Sequence, residues 1–354
     1  MTPIRRFITK ATHCTLGLQL ICSTHARAQA ENSNPVNSSE SSKGNSCEIL
    51  SISQQGAMLK TFLEQLENSI RTNNMAGFYE LLHPAVIRTE EEKTAEFNNM
   101  MSSYELRGKN LQRNFIYQLE FARTPHEVSC GKHRINGVSG PTKQWAIEYS
   151  TVTNREQVRI SFLFAQVPQA LAAKTKHPIG IVYLNTRNWS FGGKTPGTLF
   201  EEARKWSLLN EPLASWTYGT AAKRIALSNA YFFDTSFQKN LDELEKVEEK
   251  KNNLVKDYLE KAVDKTNLRI KEFTVVFKET KPEVGIKAAV DKEIPVNDQI
   301  KQCKELTKMV APLFVGARNA LDGIECMIYK IDDPIAQIPR YGSIFTRFTE
   351  ALGN

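Results

Sequence analysis

Gln144–Gln166 reads QWAIEYSTVTNREQVRISFLFAQ, and its period decides the fold. Trp145, Ile147 and Tyr149 alternate with smaller or polar residues, and so do Val158, Ile160, Phe162 and Phe164. A period of two over such runs marks strands. Thr153-Asn154-Arg155-Glu156 lies between them as a hairpin turn. Upstream, Arg113–Ala122 alternates Phe115, Tyr117, Leu119 and Phe121. Downstream, Pro178–Leu184 and Trp189–Phe191 complete an antiparallel set before Gly192-Gly193.

The residues before these strands have a helical period. Gln55–Thr72 carries Met58, Leu59, Phe62, Leu63, Leu66 and Ile70 on one face. Met75–Leu82 is a short helix that His83-Pro84 stops, because proline disfavours a helical residue before it. Glu90–Tyr104 is a third helix. A long helix, a short helix ending in FYELLHP (Phe78–Pro84) and an antiparallel sheet resemble the NTF2-like cone fold over roughly Gln55–Gly193. The resemblance implies a curved sheet wrapped on a helix around a conical cavity. Members of that family are small enzymes, ligand binders or assembly modules.

Beyond Gly193, Leu199–Phe233 is helical and apolar and is divided by Pro212 and Gly219. Phe237–Lys265 is a charged helix with a sparse apolar stripe, and together the two segments make a helical connector. The last third reads strand, strand, helix, strand: Arg269–Lys278, Val284–Val290, Asp298–Leu321 and Gly323–Ile331. Ser343–Leu352 adds a terminal amphipathic helix. The expected class is α+β. The expected divisions are a leader over 1–30, a tether over 31–46, an NTF2-like domain over 47–195, a connector over 196–266 and a C-terminal α+β domain over 267–354.

Met1–Ala30 opens with Arg5, Arg6 and Lys10, has a short apolar centre and closes on Ala28-Gln29-Ala30, the pattern of a secretory leader. Glu31–Ser46 has one aliphatic residue and no aromatic one, as expected of a disordered tether. The full chain carries 46 basic and 39 acidic residues, for +7; without the leader the surplus falls to +3. Cations mixed with acids in this way give no basic face, and no nucleic-acid partner is expected. The expected location is periplasmic or extracellular, with no transmembrane helix in the mature chain. Lipid anchoring at Cys22 is disfavoured by the bulky Ile21 before it.

Export leaves Cys47, Cys130, Cys303 and Cys326, an even set for an oxidising compartment. Locality favours Cys47–Cys130 and Cys303–Cys326. A competing demand on Cys130 is a metal site with His126 and His133 in HEVSCGKH. That demand is the weaker one, and no metal or other cofactor is expected. Nucleophile elbows and phosphate loops are absent from the sequence. If the cone held an acid/base, His83 or Glu120 would supply it. Phe115, Tyr117, Trp145, Tyr149 and Phe162 are expected on one aromatic surface, which could line a pocket for a small apolar ligand. Glu148 and Arg159 are expected on the opposite, solvated face. The expectation for the whole is an exported, non-enzymatic interaction or assembly module with a protein partner in the envelope or outside the cell. The alternative is a small-molecule binder or cavity enzyme using the cone.

Overall fold

The computed structural model describes residues 45–86, 89–104, 111–121, 127–139, 141–153, 156–259, 268–278, 280–290, 294–330 and 343–352. The leader, the candidate lipidation cysteine and the tether up to residue 44 lie outside them. Ser46, assigned to the tether on composition, already opens the first strand, β1 (Ser46–Ile49).

Three helices follow: α1 (Ala57–Arg71), α2 (Met75–Glu80) and α3 (Glu90–Tyr104). Asn74 caps α2 by accepting the Gly77 N–H, which fixes where the short helix starts. Next come β2 (Gln112–Glu120), β3 (Glu127–Cys130), β4 (His133–Asn136), β5 (Lys143–Thr153), β6 (Glu156–Gln166) and β7 (Ile179–Asn188). β1, β2, β5, β6 and β7 form an antiparallel sheet in that order. Its hairpin register pairs Thr153 with Glu156 and Ile147 with Phe162, as the alternation requires.

This sheet is covered on both sides. One face carries Ile116, Trp145, Ile147, Tyr149, Ile160, Phe162 and Phe164 against Phe62, Leu66, Phe78 and Phe97 of the helices. The other carries Tyr117, Leu119, Ala146 and Leu163 against Val128, Ile135 and Phe232. The second cover is a three-stranded sheet of β3, β4 and β8 (Phe232–Asp234). Phe232 thus belongs to a strand, not to the helix that its apolar neighbours suggest. With both faces buried, β2 has apolar residues at odd and even positions alike.

The next helices are α4 (Pro196–Leu208), α5 (Pro212–Ala226) and α6 (Gln238–Val255). Proline opens both α4 and α5, where its missing N–H costs nothing. Gly219 does not divide the second helix as expected. It sits inside α5, where a Cβ would collide with Leu244 of α6, so glycine lets the two helices close. Trp189–Phe191 is not a strand either; Phe191 and Lys194 bridge a tight turn through Gly192 and Gly193, both at positive φ.

The C-terminal third contains β9 (Leu268–Lys278), β10 (Lys281–Val290), α7 (Val296–Val310), β11 (Gly323–Lys330), β12 (Ser343–Arg347) and α8 (Phe348–Ala351). The sheet order is β12-β11-β10-β9, with β10 and β11 parallel across the α7 crossover. Ser343–Arg347, expected to be helical, pairs with Gly323–Met327 instead. An open sheet edge offers those five residues backbone partners that an isolated helical turn lacks. Val275, Ile286, Ile324, Leu306, Val310 and Phe314 share the core here with Phe200 and Trp216.

Candidate functional site

Both expected disulfides are present: Cys47–Cys130 joins β1 to β3, and Cys303–Cys326 joins α7 to β11. The Cys130 sulfur is therefore committed. His133 is buried, hydrogen-bonded through Nδ1 to the Tyr117 hydroxyl at 2.9 Å and tilted against the Phe115 ring. Burial lowers its pKa. His126 lies outside the described residues. No group of three His, Cys, Asp or Glu that could hold a metal occurs among the described residues.

His83 and Glu120 do not converge. His83 is buried; its Nδ1 accepts the Ala85 N–H at 3.2 Å, so Nε2 donates to the Gln166 carbonyl at 3.4 Å. Burial lowers its pKa, against the hydrogen bond to Gln166. Glu120 is exposed at the end of β2, 3.8 Å from Lys143. His83 stands beside β7, three strand spacings or more from β2, on the order of 15 Å.

The five aromatic candidates do not share one surface. Trp145, Tyr149 and Phe162 lie on the helix-covered face, and Phe115 and Tyr117 on the other. The cause is the register of β2, which shifts at a bulge between Arg113 and Phe115 and then pairs Tyr117 with Ala146. Tyr149 and Phe162 are fully buried in a packed core. The Tyr149 hydroxyl donates to Glu67, whose carboxylate also holds Arg113.

Glu148 and Arg159 are not solvated either. Glu148 is 2% exposed and accepts from Arg159 at 3.0 Å, Arg187 at 3.1 Å, Asn114 at 3.2 Å and Ser161 at 3.3 Å. Both guanidinium groups lie over Trp189, at 3.5 and 4.7 Å from the ring centre. Trp189 covers this row, and His133 and Asp234 of the second sheet stand near enough to act on its charges. No local period or spacing in the chain signals that cover.

The open site lies elsewhere. A cavity of about 810 Å³ sits where the β9–β10 turn, the start of β11 and the end of β12 converge. Lys278, Thr280 and Lys281 come from the turn, and Arg318, Leu321 and Asp322 from the approach to β11. Phe345, Arg347, Phe348, Thr349 and Leu352 line the far side. Glu283 sets the floor: 1% exposed, it accepts the Asp322 N–H at 3.0 Å and the Gly323 N–H at 3.4 Å. Burial pushes its pKa up to about 7, against those hydrogen bonds and the nearby Lys281. Lys281 pairs with Asp322 at 2.6 Å, and the Lys278 ammonium lies 3.6 Å from the Phe345 ring centre. The Gly192 turn holds the β9–β10 turn from behind, for a Cβ there would overlap the Thr280 carbonyl. No described helix is long and apolar enough to cross a membrane. Compared with protein-family models, curated proteins and solved structures, the chain matches none.

Proposed function

We propose that this chain is an exported, non-enzymatic binding module whose small-molecule site is the C-terminal cavity rather than the cone interior. One observation carries the reading: about 810 Å³ of open space with polar groups converging on it, within the range of small-molecule pockets. The interior of the N-terminal half, which we read as NTF2-like from its element order, is filled by Tyr149, Phe162 and Phe164. Glu283 has the raised pKa of a catalytic acid, yet both its oxygens accept backbone N–H groups, which suits an anchor. Export is supported by the leader-like start and by two disulfides.

The test is a plug. Thr349, exposed on the cavity wall, replaced by Trp would push an indole into the space without touching the core. Native mass spectrometry of protein purified from an envelope extract should show a co-purifying small molecule, lost in T349W. A wild-type protein that carries and takes up none contradicts the reading. A second reading, a protein partner, is favoured by Leu208 at 82% and Leu209 at 57% exposure on the α4–α5 turn. Val315 is exposed nearby, since Gly316 packs against Glu211 of that turn. Capture of a partner that survives T349W but fails in L208D/L209D would support it.

A further inference from the structure

Resting on the binding reading above, we infer that the cavity takes a small organic anion, a carboxylate or phosphate attached to an apolar body. The charge around the cavity decides the class. Four cations, Lys278, Lys281, Arg318 and Arg347, face two acids, Glu283 and Asp322. Both acids are already engaged: Asp322 holds Lys281, and Glu283 holds two backbone N–H groups. A cationic ligand would find no carboxylate free to meet it. Arg318 and Arg347, in contrast, are exposed and make no ion pair among the described residues. Two guanidinium groups offer the planar, paired donors that match carboxylate and phosphate oxygens. Glu279, in the same turn, lies outside the described residues; one more acid still leaves cations in excess.

The apolar part follows from the rest of the wall. Phe345 and Leu352 are half-buried at the cavity, and Phe348 and Leu321 are buried behind them. Phe345 carries Lys278 over its ring, so apolar and cationic surface meet at one point. An inorganic ion would use only the cations and leave most of the volume to water. A neutral apolar compound would leave two arginines beside it without an anion. A small amphiphilic anion satisfies both walls.

Ligand-observed NMR on the full mature protein tests this with four probes: phenyl phosphate, 2-naphthoate, inorganic phosphate and 2-naphthalenemethanol. Phenyl phosphate and 2-naphthoate should bind, at least tenfold more tightly than either inorganic phosphate or the neutral alcohol. R318Q/R347Q changes only exposed side chains; its melting temperature should match wild type, while both anions lose at least tenfold in affinity. R318K/R347K, which keeps charge but not the fork, should recover part of it. Equal binding of the alcohol and the anions, unchanged in R318Q/R347Q, overturns the anion class and leaves the binding reading standing. No binding by any of the four, with a melting temperature they do not shift, overturns both.

Discussion

Replacing Glu148 with Gln keeps the shape of the side chain, removes its charge and turns one acceptor oxygen into a donor. The carboxylate sits between Arg159 and Arg187, which are direct cross-strand neighbours on β6 and β7. Each contact is near 3 Å, so at an effective dielectric of 20 the bare attraction is roughly 5 kcal/mol per pair. Most of that offsets the cost of bringing three ions out of water. Removing one partner of a buried pair exposes the whole remaining cost, about 3–5 kcal/mol. The amide that E148Q introduces would also turn one N–H group toward a guanidinium. At about 2.1 cal/mol/K of unfolding entropy per residue, a 354-residue chain loses about 1.3 °C per kcal/mol, so Tm should fall by about 4–7 °C. The assay is thermal and urea unfolding followed by circular dichroism. E148Q/R187M, which removes an ion of each sign, should recover at least half of the loss. An E148Q protein that melts within about 2 °C of wild type would refute the buried-network account.

Other outcomes follow from the same physics. Removing Cys47–Cys130 with alanines should cost about 4.5 kcal/mol, and removing Cys303–Cys326 about 3.4, from their separations of 83 and 23 residues in the chain-entropy model; urea unfolding of the two double variants should rank them in that order. G192A places a Cβ at positive φ against the Thr280 carbonyl and should cost about 2–4 kcal/mol, while G197A, with only Thr195 Oγ1 at 3.8 Å, should be near neutral by the same melts. Glu283 holds its proton in the folded state up to about pH 7, whereas the unfolded chain releases it near 4.5. Between those values the unfolded state binds fewer protons, so this group makes stability fall as pH rises; E283Q should flatten that part of the pH–stability curve. Y117F removes the hydrogen bond to buried His133 and should cost about 1–2 kcal/mol in the same unfolding assay.

The α1 stripe, the β5–β6 hairpin and the C-terminal strand, strand, helix, strand order are legible in the sequence because each is a local period, and both cysteine pairs because four cysteines split two to each half of the mature chain. What escapes are elements too short to show a period: β1, β3, β4 and β8, of three or four residues each. Missing them has a consequence at a distance. Without the second sheet, Glu148 and Arg159 alternate as an ordinary wet face, and Phe115 and Tyr117 align with Trp145 by simple parity. A single bulge after Arg113 and a short cover reverse both readings. The cavity is invisible for a related reason. Its residues come from three separated segments, Lys278–Glu283, Arg318–Asp322 and Phe345–Leu352, and the third has the apolar spacing of a helix. Only the pairing of β12 with β11 turns Phe345 and Arg347 toward Lys278 and Asp322.

The most direct measurement is a chemical-shift map of isotopically labelled protein titrated with phenyl phosphate. The largest shifts should fall on Lys278, Lys281, Asp322, Phe345, Arg347 and Leu352, with Trp145, Tyr149 and Phe162 unmoved. Shifts centred on the N-terminal sheet, or none at saturating probe, would contradict that placement.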